Sequence, residues 1–210
     1  MLHGNDHGNE HRHGSEPHGP AHQGLYALSM LLCRGAMART IADLAGLSTD
    51  DVVVDVGCGP GAAARRARRE GAVLAVGVDP SPEMLRLARR LTSLRRMDGV
   101  DFLEGSAENL PLDSSSATVV WAVQSVHHWV DRRRGLAESL RVLAPRGHLL
   151  LMERAVVPGA RGLAAHGLTE HRAHERTTLI GHTGFADAAR RIIHVGRRDF
   201  VVVTASAPTS

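Results

Sequence analysis

The chain has 210 residues, 43% hydrophobic and 22% charged, a composition that excludes wholesale disorder and a collagen-like fibre and leaves room for one folded domain plus a tail. All 25 basic residues are Arg, so the pI of 9.6 reflects the lack of lysine rather than a large positive excess; the net charge is only +3. With two Trp, one Tyr and three Phe, the chain offers neither the charge nor the stacking platform of a dedicated nucleic-acid binder.

Residues 1–24 form a polar, His-rich leader in which His3, His7, His11, His13, His18 and His22 lie among Gly, Asn, Asp, Glu and Pro. Such a segment cannot offset the entropy of folding alone, and its imidazoles are suited to gathering around a borderline metal, although no metal role is assigned to it. Cys33 and Cys58 make no disulfide framework, and the apolar run from Leu25 to Cys33 is too short for a bilayer. A cytoplasmic protein with no membrane partner is expected.

The domain proper is read as 25–210, with a helical segment over 25–47 carrying Leu28, Leu31, Leu32, Ala36, Ile41, Leu44 and Ala45 at helical spacing, and a core over 51–206. Asp51 to Val56 is a short apolar run that breaks into Gly57-Cys58-Gly59-Pro60-Gly61 and continues as an Ala- and Arg-rich stretch, which predicts strand, glycine loop and helix over 62–69. Val73 to Val78 predicts a second strand closed by Asp79-Pro80. Ser81 then caps and Pro82 opens a helix with Met84, Leu85, Leu87, Ala88 and Leu91. Further strands are predicted at 100–103, 118–123 and 148–152, with a helix from Arg132 to Leu143 capped by Asp131. Phe185 to Ala189 predicts a last helix. Arg191 to Val195 and Phe200 to Thr204 flank Gly196 to Asp199 as an antiparallel hairpin. Continuous apolar runs imply strands buried on both faces, hence an α/β fold with a mostly parallel sheet. The runs Arg65-Arg66-Ala67-Arg68-Arg69 and Arg132-Arg133-Arg134 read as solvated helix faces.

Glycines between a strand and a helix let the backbone approach a ligand closely, beside the free N–H groups of a helix N-terminus. Gly57 to Ala62 satisfies the dinucleotide fingerprint in its G-x-G-x-x-A form, and Asp79 lies 20 residues beyond Gly59, where a ribose-binding carboxylate belongs. The fingerprint alone therefore admits more than one cofactor class. Asp55, Pro60 and the terminal hairpin separate them.

In the stretches 52–61, 76–85, 105–112 and 138–147 the chain resembles the class I S-adenosylmethionine-dependent methyltransferases, in the small-molecule branch that includes the ubiquinone and menaquinone biosynthetic enzymes. The resemblance covers roughly residues 30 to 206 and implies a Rossmann-like, seven-stranded, mostly parallel sheet with helices on both faces and a C-terminal antiparallel hairpin. It implies S-adenosyl-L-methionine as cofactor, S-adenosyl-L-homocysteine as product, and transfer of a methyl group to an O, N or C atom of a small molecule. By the same resemblance Gly57, Cys58 and Gly59 hold the methionine part, Asp55 orients the loop and the amino group, and Asp79, followed by Pro80, accepts both ribose hydroxyls. Ser106, Ala107 and Glu108 fall at the adenine, Met84 near the adenosine, and Gln124 at the strand end that faces the methyl. Two departures stand out: Ser106 replaces a customary Asp, and Ala117-Thr118 replace the acidic residue that usually opens the fourth strand.

Methyl transfer needs a base only where the nucleophile starts protonated, and His127 and His128, just past the fourth strand, are the candidate catalytic residues. The segment from Val156 to Gly184, between the fifth strand and the last helix, is where the resemblance implies a substrate-covering lid, here a short one. In it His166, His171, His174 and His182 occur with Glu170 and Glu175, scattered polar residues rather than an assigned metal site. So short a lid suggests a small acceptor, or one covered by residues 25–47 or by the second subunit of a homodimer. An NAD-dependent oxidoreductase and a non-catalytic cofactor-binding protein are the alternatives.

Overall fold

The computed structural model describes residues 34–157 and 167–209, so the His-rich leader, His166 and the first part of the predicted 25–47 helix lie outside the described residues. Helix α1 occupies 34–45. It is followed by β1 (Val52–Val56), α2 (Ala62–Arg69), β2 (Leu74–Asp79), α3 (Pro82–Ser93), β3 (Val100–Glu104), β4 (Ala117–Val123), a 3-10 turn (Val126–His128), α4 (Arg132–Val142), β5 (Leu143–Arg154), α5 (Glu170–His182), β6 (Ala186–Val195) and β7 (Arg198–Ser206). The described strands form one seven-stranded sheet in the order β3-β2-β1-β4-β5-β7-β6. The first five are parallel, while β7 runs antiparallel to both β5 and β6.

The apolar runs divide between two cores because successive side chains of a strand point to opposite faces. Val54, Val56, Val120 and Leu149 pack with Leu136 of α4 and Ile180 of α5. Val53, Val119, Trp121 and Leu150 pack with Ile41 of α1, Ala64 of α2 and Leu85 of α3. Helices therefore cover both faces, as a parallel sheet requires. The predicted caps also form: Ser81 Oγ accepts from the Met84 N–H behind Pro82, and Asp131 Oδ1 accepts from the Arg134 N–H at 3.1 Å. Among the described residues no helix is long and apolar enough to cross a membrane.

Two expectations are corrected. Phe185 to Ala189 is not a helix; the last described helix is α5, and 186–189 begin edge strand β6. The alanines there suggested helix, but pairing with β7 overrides that weak propensity. The segment read as a lid thus contains α5, whose inner face is part of the core. Nor is Arg65 solvated: it is 6% exposed, and its Nη1 donates to the carbonyl of Pro60 at 2.8 Å and, at 3.4 Å, to the Ala88 carbonyl and the Thr92 hydroxyl. A guanidinium, with five donors, here ties the glycine loop to α3.

Candidate functional site

Strand order reverses between β1 and β4, and the carboxyl edge at such a switch point is where open α/β sheets bind ligands. There the loop after β1 turns through three residues of positive φ, Gly57 (72°), Gly59 (52°) and Gly61 (73°). Glycine is required by space as well as by conformation at Gly57, where a Cβ would lie 2.4 Å from that of Ser125. The loop folds back onto β2: the N–H groups of Gly57 and Cys58 both donate to the Val78 carbonyl, at 2.8 and 3.1 Å.

Asp79, at the end of β2, is 8% exposed. Its Oδ2 accepts the Gly59 N–H at 2.7 Å and its Oδ1 the Ser81 N–H at 3.0 Å. One carboxylate thus fixes both the glycine loop and the entry to α3, and each oxygen keeps a further acceptor site for a diol. Pro80 follows, exposed, and Met84 on the first turn of α3 is 38% exposed, which removes it from the core.

Asp55 is 2% exposed and accepts the Ala64 N–H at 3.1 Å, joining β1 to α2. Burial pushes its carboxyl up to about 7, with the Ala64 N–H and the adjacent Trp121 indole pulling the other way. The indole stops short of full hydrogen-bond geometry. The Arg34 guanidinium of α1 lies over Gly59, where Nη1 would be 2.8 Å from an added Cβ, and its charge reaches Asp55. Cys58 is buried, and burial together with Asp55 and Asp79 pushes its thiol far up, so it lines the loop as an inert group.

Ala107 is buried, and Ser106 and Glu108 are half-buried beside it. Burial pushes the Glu108 carboxyl up, but the Asp131 N–H and the Ser106 hydroxyl outweigh it and hold the group below its ordinary value. Its Oε1 takes the Asp131 N–H at 3.1 Å, and its carbonyl takes Arg134 Nε at 2.9 Å. Glu108 therefore anchors the segment after β3 to the start of α4, and Ser106, which stands where a charge is customary, serves that anchor.

At the end of β4, Gln124 adopts φ 56°, which an L-residue seldom does, while its N–H donates to the Met152 carbonyl at 2.8 Å. Its side-chain nitrogen is buried and has no hydrogen-bond partner among the described residues. A strained backbone carrying an orphaned amide at the switch point fits a residue that faces a ligand. The acceptor sites left on Asp79 fit the ribose diol of an adenosine-bearing cofactor, and the Gln124 side-chain N–H can donate to an electronegative atom of a bound molecule.

The two histidines separate. His128 is exposed, whereas His127 is half-buried and its Nδ1 lies 2.8 Å from Oε2 of Glu153; the rings are 4.0 Å apart. Glu153, next to the last residue of β5, is 1% exposed and accepts the Val126 N–H on Oε1 at 2.8 Å. A carboxylate so engaged fixes the imidazole as the tautomer with Nδ1–H and leaves the lone pair on Nε2. Glu153 escaped the sequence reading, though an acid at the end of the run His148 to Met152 was its signal. Arg176 of α5 was missed too; it is buried close enough to Glu153 for their charges to interact. His171 and His174 are exposed on α5, facing Glu175 at 3.3 Å and Arg190 at 3.0 Å respectively. Among the described residues no three His, Cys, Asp or Glu gather as a metal site.

Residues 54–151 match the methyltransferase domain family. The chain is 33% identical over 148 residues to 27-O-demethylrifamycin SV methyltransferase of Amycolatopsis mediterranei, covering 69% of this chain and 54% of that one. It is 39% identical over 102 residues to demethylmenaquinone methyltransferase of Chlorobaculum tepidum, 48% and 40% of the respective lengths. The chain thus spans about half the length of these relatives or less. A crystal structure of a SAM-dependent methyltransferase from Aquifex aeolicus superimposes with a TM-score of 0.67 at 18% identity, over 81% of this chain and 89% of that one, a likeness of fold. Sheet order, glycine loop and these matches agree that residues 54–151 are a methyltransferase domain, similar to those of S-adenosylmethionine-dependent methyltransferases.

Proposed function

We propose that the whole protein transfers a methyl group from S-adenosylmethionine to an oxygen, nitrogen or carbon atom of a small cytoplasmic metabolite. The relatives named above bear methyltransferase names, and what supports the reading in this chain is above all Asp79, holding the glycine loop with Oδ2 and the entry to α3 with Oδ1 while each oxygen keeps a lone pair for a ribose diol. Gly57, Cys58 and Gly59 would receive the methionine portion, with Asp55 beside its ammonium; Ala107 with its neighbours Ser106 and Glu108 would flank the adenine, and Met84 the adenosine. Gln124 would stand at the strand end that faces the methyl, its amide N–H donating to an electronegative atom of the acceptor.

When bound, the cofactor supplies an electrophilic methyl group on a sulfonium. The chain's own work is to orient, to exclude water and to take a proton. His127 is the proposed base rather than His128, because its tautomer is set by Glu153; as Nε2 takes the acceptor's proton, the imidazolium forms beside a buried carboxylate. No observation favours an oxidoreductase. The test is calorimetric titration with S-adenosylhomocysteine and with NAD: tight binding of the former, lost in Asp79→Ala, is expected, whereas binding of NAD alone sinks the proposal.

A further inference from the structure

A cavity adjoins His127. It has a volume of about 380 Å³ and is lined by His127, Arg132, Gly167, Leu168, Arg172, Glu175, Arg176 and Leu179. Three guanidiniums from two helices converge on it, from the first residue of α4 and from successive turns of α5, where an i,i+4 spacing places Arg172 and Arg176 on one face. Arg176 is 8% exposed, and its Nη1 is buried with no hydrogen-bond partner among the described residues. Burial and the neighbouring charges of Arg132 and Arg172 pull its pKa down, opposed by Glu153. Glu175 also lines the cavity, exposed and paired with His171, and Glu153 is already engaged by His127 and the Val126 N–H. A desolvated guanidinium with an unmatched N–H group, beside two more cations, has the chemistry to hold an anion.

We propose that this cavity is the acceptor-binding site and that it selects an anionic acceptor, whose carboxylate or phosphate is held by Arg176, Arg172 and Arg132 while its nucleophilic atom is presented to His127. The inference rests on the methyl-transfer reading for the acceptor's role, but the anion site stands on its own residues. Arginine suits the task because its planar fork matches the two oxygens of either group. His127 lies two residues beyond Ser125, which packs against Gly57, so anion site and cofactor loop are neighbours along the carboxyl edge.

The test titrates the full chain calorimetrically with inorganic phosphate and with benzoate, each with and without saturating S-adenosylhomocysteine. Saturable binding of at least one anion is expected, and the stronger of the two tells a phosphate site from a carboxylate site. Arg176→Gln and Arg172→Gln should each weaken it about tenfold or more, as loss of a charged hydrogen bond does, while affinity for S-adenosylhomocysteine stays within about twofold. Arg172 is exposed, so its variant keeps the test decisive if Arg176→Gln does not fold. Failure of both anions to bind, or binding indifferent to both substitutions, overturns the proposal. In a metabolite extract with labelled methyl donor, a product retained on an anion exchanger supports it and an uncharged product overturns it. Loss of S-adenosylhomocysteine binding with anion binding intact strikes the cofactor reading and leaves the anion site standing.

Discussion

Asp55 is where burial has a chemical consequence. With its carboxyl pushed up to about 7, chiefly by burial, the group is protonated in the folded chain at mildly acidic pH. It favours the fold fully below its unfolded pKa of about 4, and that advantage is lost as pH rises towards 7. A ligand that sets an ammonium beside it gains the opposite preference. Affinity for S-adenosylhomocysteine, measured by calorimetry, is therefore expected to rise about tenfold from pH 6 to pH 8, and Asp55→Asn should flatten the profile. Glu153 offers a second test. In Glu153→Gln, the amide oxygen can keep the Val126 N–H only by turning its NH₂ towards His127 Nδ1, which reverses the tautomer and puts a proton on Nε2. The expected result in a methyl-transfer assay is a fall in kcat of about a hundredfold or more with cofactor affinity unchanged. An unchanged kcat with a shifted KM would assign Glu153 to packing instead.

The glycine loop is held as a unit. Asp79 grips Gly59, and Arg65 binds the Pro60 carbonyl to α3, so α2 and α3 meet through a buried cation. Arg65→Ala takes the donor from the buried Pro60 carbonyl, while the Thr92 hydroxyl keeps its bond to the Ala88 carbonyl, and is expected to lower stability by about 2 kcal/mol, read from denaturant midpoints at constant m-value. The parallel strands were legible in the sequence because burial on both faces writes them as unbroken apolar runs, and the loop because only glycine tolerates its φ angles. Asp55 and Asp79 were legible through their spacing from that loop. β6 was legible only in its second half, Arg191 to Val195, as an arm of the hairpin; its start, exposed on the sheet edge, carries no alternation to read. α5 was obscured because only Ala173, Arg176 and Ile180 of its thirteen residues are buried. The pairing of His127 with Glu153, and the approach of Arg176, depend on β4 lying beside β5 and α5 packing below. No local motif records them.

At the scale of the molecule, both cores are bound to the site: Val54 and Val56 pack one face, Val53 and Trp121 the other, and Asp55 lies between them in sequence on β1. Filling the site should therefore stabilise the fold as a whole. At a hundred times its Kd, S-adenosylhomocysteine contributes about 2.7 kcal/mol, which corresponds to a rise in Tm of about 5–10 °C for a chain of this size; Asp79→Ala should show none. The scarcity of aromatic residues makes that measurement convenient. The two tryptophans are Trp121, fully buried beside Asp55, and Trp129, 7% exposed against Gly135. Both indole N–H groups are buried without a hydrogen-bond partner among the described residues, so in the folded chain neither emits from a watery surrounding. Unfolding shifts their emission to the red, and a ligand that changes the charge on Asp55 alters the light from Trp121. The chain thus carries its own optical reporter, one lamp in each core, at the level of the cofactor loop and of the helix that follows the histidines.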